Sequence, residues 1–253
     1  LLHVRRFLFA AALVALATRG SLAQAPRVPV LVELYTSEGC SSCPPADALL
    51  ESLLHDQPVA GAEIIPVGLH VDYFNSLGWK DAFSSSAFTA RQRSYSPIVG
   101  DDNLYTPQIV VDGRAPMDGT KGDAVRRAIE AAARRPHLPV SVAARIVSDQ
   151  VRLTISVPPA PAGAGKIQVI AAITQDGLSS VVTRGENNGR TLHHAAVART
   201  VQGLDALGAK TSAVEKDLPL GKGWGQSGLR AVVWLQGVKS REVYGAATVL
   251  IGQ

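Results

Sequence analysis

The sequence predicts an α/β domain over residues 26–136 followed by an all-β, sandwich-like domain over residues 137–253, behind an export signal over residues 1–25. Three observations carry this reading. Up to Arg135 the apolar residues alternate between β-branched runs and helical spacing. Beyond Pro139 they form strand-like runs separated by turn residues, and the first residues run basic, apolar, small. With 253 residues, 46% hydrophobic and 18% charged, the chain has enough apolar material for one large or two ordinary cores.

At the N-terminus, Arg5 and Arg6 precede an apolar run from Phe7 to Ala17, and small residues at Ser21, Ala23 and Ala25 offer cleavage sites. A spanning helix needs about 20 apolar residues, and this run stops at Thr18, Arg19 and Gly20. The expectation is a periplasmic or secreted protein with no membrane span after cleavage. The formal charge of +4 falls to about +1 once Arg5, Arg6 and Arg19 are removed. That balance argues against nucleic acid or a membrane surface as partner.

Val28 to Thr36 is a β-branched apolar run interrupted by Glu33, the pattern of a central strand buried on both faces. Ala46, Leu49, Leu50, Leu53 and Leu54 then recur at helical spacing, predicting a helix from Pro45 to about His55. Glu63 to Val71 reads as a second buried strand, and Asp81 to Tyr95 as a helix within an insertion. Gln108 to Val111 ends in Asp112-Gly113, a hairpin signal that lets Arg114 to Met117 pair back. Lys121 to Arg135 places Ala124, Val125, Ala128, Ile129 and Ala132 on one helical face. Strands are then expected over residues 140–147, 151–157, 167–174, 192–201, 229–236 and 243–251.

The chemistry-bearing feature is Cys40-Ser41-Ser42-Cys43, between the first strand and the first helix. Unpaired N–H groups and the helix dipole at such a position stabilise a thiolate on the first sulfur. Cys40 is therefore the expected nucleophile, with Cys43 placed to resolve a mixed disulfide. A purely structural disulfide closing so short a loop constrains the unfolded chain little. A metal site needs about four ligands, so His55, His70, His193 or His194 would have to converge on the two cysteines. Pro44 and Pro45 disfavour helical geometry before them and weaken the dipole argument.

Three further features bear on the site. Thr106-Pro107 enters a strand expected beside the cysteine turn, where a cis bond would expose backbone for substrate pairing. Glu33, seven residues before Cys40, is either a buried carboxyl with a raised pKa that shuttles the Cys43 proton or half of a structural ion pair. Trp79, Tyr73 and Tyr105 either line a substrate groove, with Thr106, or pack in the core. In the second half, the polar loop Arg184 to Arg190 leads to His193 and His194, which as strand neighbours face opposite ways. That loop is either a solvated turn or a cover packed across the cysteine turn.

The order strand, Cys-x-x-Cys, helix, strand, Thr-Pro, hairpin, helix over Val28 to Arg135 resembles the thioredoxin superfamily. The resemblance implies a thioredoxin-like first domain with Cys40 attacking, Cys43 resolving, Pro107 as the cis-proline and Glu33 as the buried acid. The phrases VELYTSEGCSSCPPAD, HVDYFNSLGWKDAFSSSAFTARQRSYS, LYTPQIVVDGR and GENNGRTLHHAAVAR more narrowly resemble the secreted family catalogued as domain of unknown function twelve twenty-three. Departures from thioredoxins are the Ser-Ser pair, the absence of Trp before Cys40 and the long insertion. The function expected is a thiol–disulfide oxidoreductase acting on protein or small-molecule thiols and needing no cofactor. The alternatives are copper or zinc handling through Cys40, Cys43 and a histidine, or an interaction module with a structural disulfide.

Overall fold

The computed structural model describes residues 26–252 except 101, 115, 209 and 211, so the expected export signal lies outside the described residues. The first half contains β1 (Val28–Thr36), α1 (Pro44–Asp56), β2 (Ala62–His70), α2 (Ser86–Arg93), α3 (Ser96–Val99), β3 (Gln108–Val111), β4 (Met117–Asp118) and α4 (Gly122–Ala133). The second contains β5 (Ser141–Val147), β6 (Gln150–Val157), β7 (Ile167–Gln175), β8 (Leu178–Val181), β9 (Thr191–His194), β10 (Val197–Ala206), β11 (Ser212–Pro219), β12 (Leu229–Gly237) and β13 (Val243–Leu250).

The predicted succession of an α/β thioredoxin-like domain and an all-β sandwich is overturned. Strand outweighs helix, 41% against 18%, and both halves feed one eight-stranded mixed sheet of order β13-β12-β7-β10-β2-β1-β3-β4. β1 runs parallel to β2 and antiparallel to β3, while β7, β12 and β13 pair antiparallel. The halves join where β10 meets β2 in parallel at Val197 and Gly68, and Gly68 N–H donates to the Ala196 carbonyl. Gly68 permits this approach, since a Cβ there would sit 3.3 Å from Leu50 and 3.4 Å from the Ala195 oxygen.

The sheet curls so that its far ends meet: Val243 N–H of β13 donates to the Asp112 carbonyl in the turn after β3. One face is thereby enclosed. Alternate residues of β1 divide between two cores, as strand geometry dictates. Leu31 and Tyr35 join Phe88, Tyr95, Val232 and Trp234 inside the curl, while Val30, Val32 and Leu34 meet Ala46, Leu50 and Leu53 of α1 and Val125 and Ile129 of α4. A second sheet, β11-β6-β5, covers the outer face of β7 and β12 with Val151, Leu153, Ile155 and Val157. The second half is therefore not a separate sandwich: its main layer, β13, β12, β7 and β10, is continuous with β1 to β4.

Asp112 and Gly113 both adopt left-handed backbone, with φ of 46° and 67°, as the Asp-Gly signal requires. Pairing resumes only at Met117 opposite Ile109, so the hairpin is shorter than expected. The expected strand over residues 192–201 is broken at Ala196, which has φ 51°. Among the described residues, no helix is long and apolar enough to cross a membrane.

Candidate functional site

The site is built where β1 runs out. The chain turns through Ser37 to Cys40, and Cys43 caps α1, accepting from the N–H groups of Ala46 and Asp47. Cys40 and Cys43 are joined in a disulfide. Pro44 and Pro45 occupy the first helical turn and bring no N–H. Two of the donors expected to steady a Cys40 thiolate are therefore missing. What remains is the positive end of α1 and the Ser42 hydroxyl, 3.4 Å from the Cys40 sulfur.

Ser41 and Ser42 are exposed. Cys40 is only 2% exposed and Cys43 fully buried. The sulfur of Cys40 lies 3.8 Å from the carbonyl oxygen of Thr106, and the Thr106–Pro107 bond is cis. Tyr105, 43% exposed, adjoins this contact; its carbonyl accepts from Gln92 Nε2 at 2.8 Å.

A cover comes from the second half. Asn187 Nδ2 donates to the carbonyls of Glu38 and Cys40, both at 2.9 Å, and the Glu186 carboxylate accepts from Ser41 N–H at 2.9 Å. The loop between β8 and β9 is thus packed across the cysteine turn, the sharper of the two readings of that segment. Gly185, at φ 73°, fits against Trp79, whose Cβ would lie 3.2 Å from any added side chain. Trp79 Nε1 donates to Glu38 at 2.7 Å, so this aromatic buttresses the turn.

Behind the disulfide lies a buried acid–histidine cluster. His194 Nε2 is 3.3 Å from the second oxygen of Glu38, and His70 Nδ1 is 2.7 Å from Asp81, which also accepts from Glu38 N–H at 2.9 Å. The rings of His70 and His194 meet edge-to-face at 4.8 Å. Asp47, on the inner side of α1, accepts from the Thr36 hydroxyl at 2.8 Å and lines a crevice with His70 and His194. Burial works against the charge on His70, but Asp81, with Asp47 and Glu38 behind it, raises its pKa. Burial would push Glu38 and Asp81 up, yet their histidine partners hold both below the usual carboxylate range. For Asp47 burial prevails over its histidine neighbours and the Thr36 bond, and its pKa is raised.

Glu33 requires a correction. It faces the inside of the curl, away from the α1 side, where Arg91 Nε donates at 2.6 Å and the Tyr35 and Tyr95 hydroxyls at 3.0 and 2.5 Å. Burial alone would raise its pKa, but the Arg91 charge and these three donors lower it. It forms an ion pair with Arg91, and its pKa is lowered where a raised one was expected. Of the other expected residues, Cys40, Cys43, Thr106 and Pro107 converge with Tyr105 beside them, and Trp79 joins through Glu38. Of the two adjacent histidines, His193 is exposed and His194 buried in the cluster, as strand alternation predicts.

Sequence reasoning missed Glu38, Asp47 and Asp81, while Glu186 and Asn187 lie in the polar loop it marked as either a solvated turn or a cover of the cysteine turn. Asp47 had a usable signal: it lies four residues after Cys43, hence on the same helix face. Asp81 had none, because only the tertiary fold carries it to the turn. Among the described residues, no three of His, Cys, Asp and Glu are grouped to hold a metal ion.

Fold and site together define a β-dominated protein in which a curled mixed sheet presents a Cys-x-x-Cys disulfide at the start of a helix. The chain belongs to the family described as protein of unknown function (DUF1223), which matches residues 31–236. It is similar to the crystal structure of protein AGR_C_4864 from Agrobacterium tumefaciens, with TM-score 0.69 and 27% identity, covering 90% of this chain and 96% of that one. It is also similar in fold to HBP35 of Porphyromonas gingivalis, with TM-score 0.65 and 12% identity, covering 90% of this chain and 77% of that one. No match was found among curated proteins.

Proposed function

We propose that the protein is an exported thiol–disulfide oxidoreductase, working in the periplasm or outside the cell through Cys40 and Cys43. The observation that carries this is the pairing of the two cysteines across the turn that opens α1, with the Cys40 sulfur against the Thr106 carbonyl that precedes cis-Pro107. In the oxidising direction a substrate thiolate attacks the Cys40 sulfur, the Cys40–Cys43 bond breaks, and its electron pair leaves on Cys43. A second substrate thiolate then attacks the substrate sulfur of the mixed disulfide and expels Cys40. The substrate loses two electrons and the protein gains them. The reducing direction runs back through the same mixed disulfide.

Attack at Cys40 is favoured because Cys43 is the more deeply buried of the two and Cys40 adjoins the exposed Ser41-Ser42 turn. Thr106 and Tyr105 would line the approach of a protein or small-molecule thiol, with Trp79 holding the turn from behind. Chain export rests on the basic–apolar–small order of residues 1–25 and suits a disulfide kept in an oxidising compartment.

The test is trapping in the exporting cell. In Cys43→Ala, mixed disulfides through Cys40 should accumulate and dissolve on reduction, and Cys40→Ala should trap nothing. Absence of trapped partners at matched expression of folded Cys43→Ala would contradict the proposal.

A further inference from the structure

Disulfide opening leaves a charge where charge is costly. When the Cys40–Cys43 bond breaks, the electron pair arrives on a sulfur with no exposure to solvent. Burial disfavours the thiolate and raises the barrier unless a proton arrives with the electrons. Among the buried acids of this region, Asp47 is the one on the helix that Cys43 caps. It follows Cys43 by four residues and its N–H donates to the Cys43 carbonyl at 3.1 Å, the spacing that places two residues on one helix face, and helical side chains lean toward the N-terminus. Asp47 is 9% exposed, and its carboxyl group accepts a hydrogen bond from the Thr36 hydroxyl.

Resting on the oxidoreductase reading above, we infer that Asp47 is the proton donor to Cys43 when the disulfide opens, and the proton acceptor when it closes. An incoming thiolate bonds to the Cys40 sulfur; the disulfide bond breaks; Cys43 receives the electron pair and the Asp47 carboxyl proton. The carboxylate so formed keeps the Thr36 hydroxyl and faces the histidines. In the reverse direction the Asp47 carboxylate removes the Cys43 proton, and the thiolate displaces whatever Cys40 holds. The retained proton that this role demands agrees with the upward displacement of the Asp47 pKa. Among the described residues, the ionisable groups around it include Glu38 beyond β1, His70 at the end of β2, Asp81 after β2 and His194 in β9. Glu38 and Asp81 each face a histidine and sit off the helix that Cys43 caps, whereas Asp47 lies on it.

The experiment uses dithiothreitol as the only thiol and follows opening of the Cys40–Cys43 disulfide across pH, with the rate constant expressed per reagent thiolate. In the natural sequence this constant should fall above the pH at which Asp47 ionises. In Asp47→Asn it should be roughly 100-fold lower, in keeping with loss of a general acid, and flat with pH. Thr36→Val, which removes the bond stabilising the carboxylate, should move the inflection to higher pH. A flat profile in the natural sequence, an inflection that persists in Asp47→Asn, or one unmoved by Thr36→Val would each overturn the inference. The reagent replaces any cellular partner, so a protein that trapped no substrate in the cell would still report on Asp47, and trapping by Cys40 does not depend on this profile.

Discussion

Glu33 sits on a strand flanked by valines and leucines, and its charge survives there because Arg91, Tyr35 and Tyr95 replace water around it. Arg91 is in turn held over the Trp234 ring at 4.9 Å and donates to Gln236 at 3.0 Å. Removing one partner leaves the other charge buried and unanswered, so Glu33→Gln should cost about 3–5 kcal/mol in a denaturation experiment at neutral pH. The folded pKa of Glu33 lies below its unfolded value. Its contribution is therefore complete above the ordinary carboxylate range and lost as pH falls through the depressed folded value. Glu33→Gln should accordingly flatten the acid limb of the stability profile. The sequence revealed that this carboxyl is buried but not what faces it: a strand pattern states which side a residue takes, and the partner Arg91 is 58 positions away.

At the scale of elements, legibility followed apolar periodicity. β1, α1 and α4 were readable because their buried faces repeat at the strand or helix period. β8, with the sequence LSSV, and β11, with SAVEKDLP, were not, because their exposed polar residues dilute the alternation. The break between β9 and β10 falls at Ala196, a residue with no preference for its left-handed backbone. The loop between β8 and β9 matters most for the site. Its Asn187 side chain closes two carbonyls of the cysteine turn, each bond contributing about 1 kcal/mol. Asn187→Ala should therefore loosen the turn and speed disulfide opening by dithiothreitol roughly 5- to 30-fold. An unchanged rate would mean that the loop does not limit access to Cys40.

The whole molecule differs from its expected plan through one junction. Local patterns correctly marked strands in both halves, yet the partner of a strand edge is not written in its own periodicity. Here Val197 meets Gly68, and two predicted units become one sheet. That union brings Glu186, Asn187 and His194 to a cysteine turn formed far away in sequence. The proposed function requires that the disulfide held in this assembly open at Cys40. It is tested most directly by reducing the folded protein, pulsing it with iodoacetamide over a range of pH, and locating the label by mass spectrometry. Cys40 should be modified first, with a midpoint below the ordinary thiol value of about 8.5, while Cys43 stays protected. A Cys40 that ionises like a free thiol, or that remains shielded while Cys43 reacts, would contradict the account.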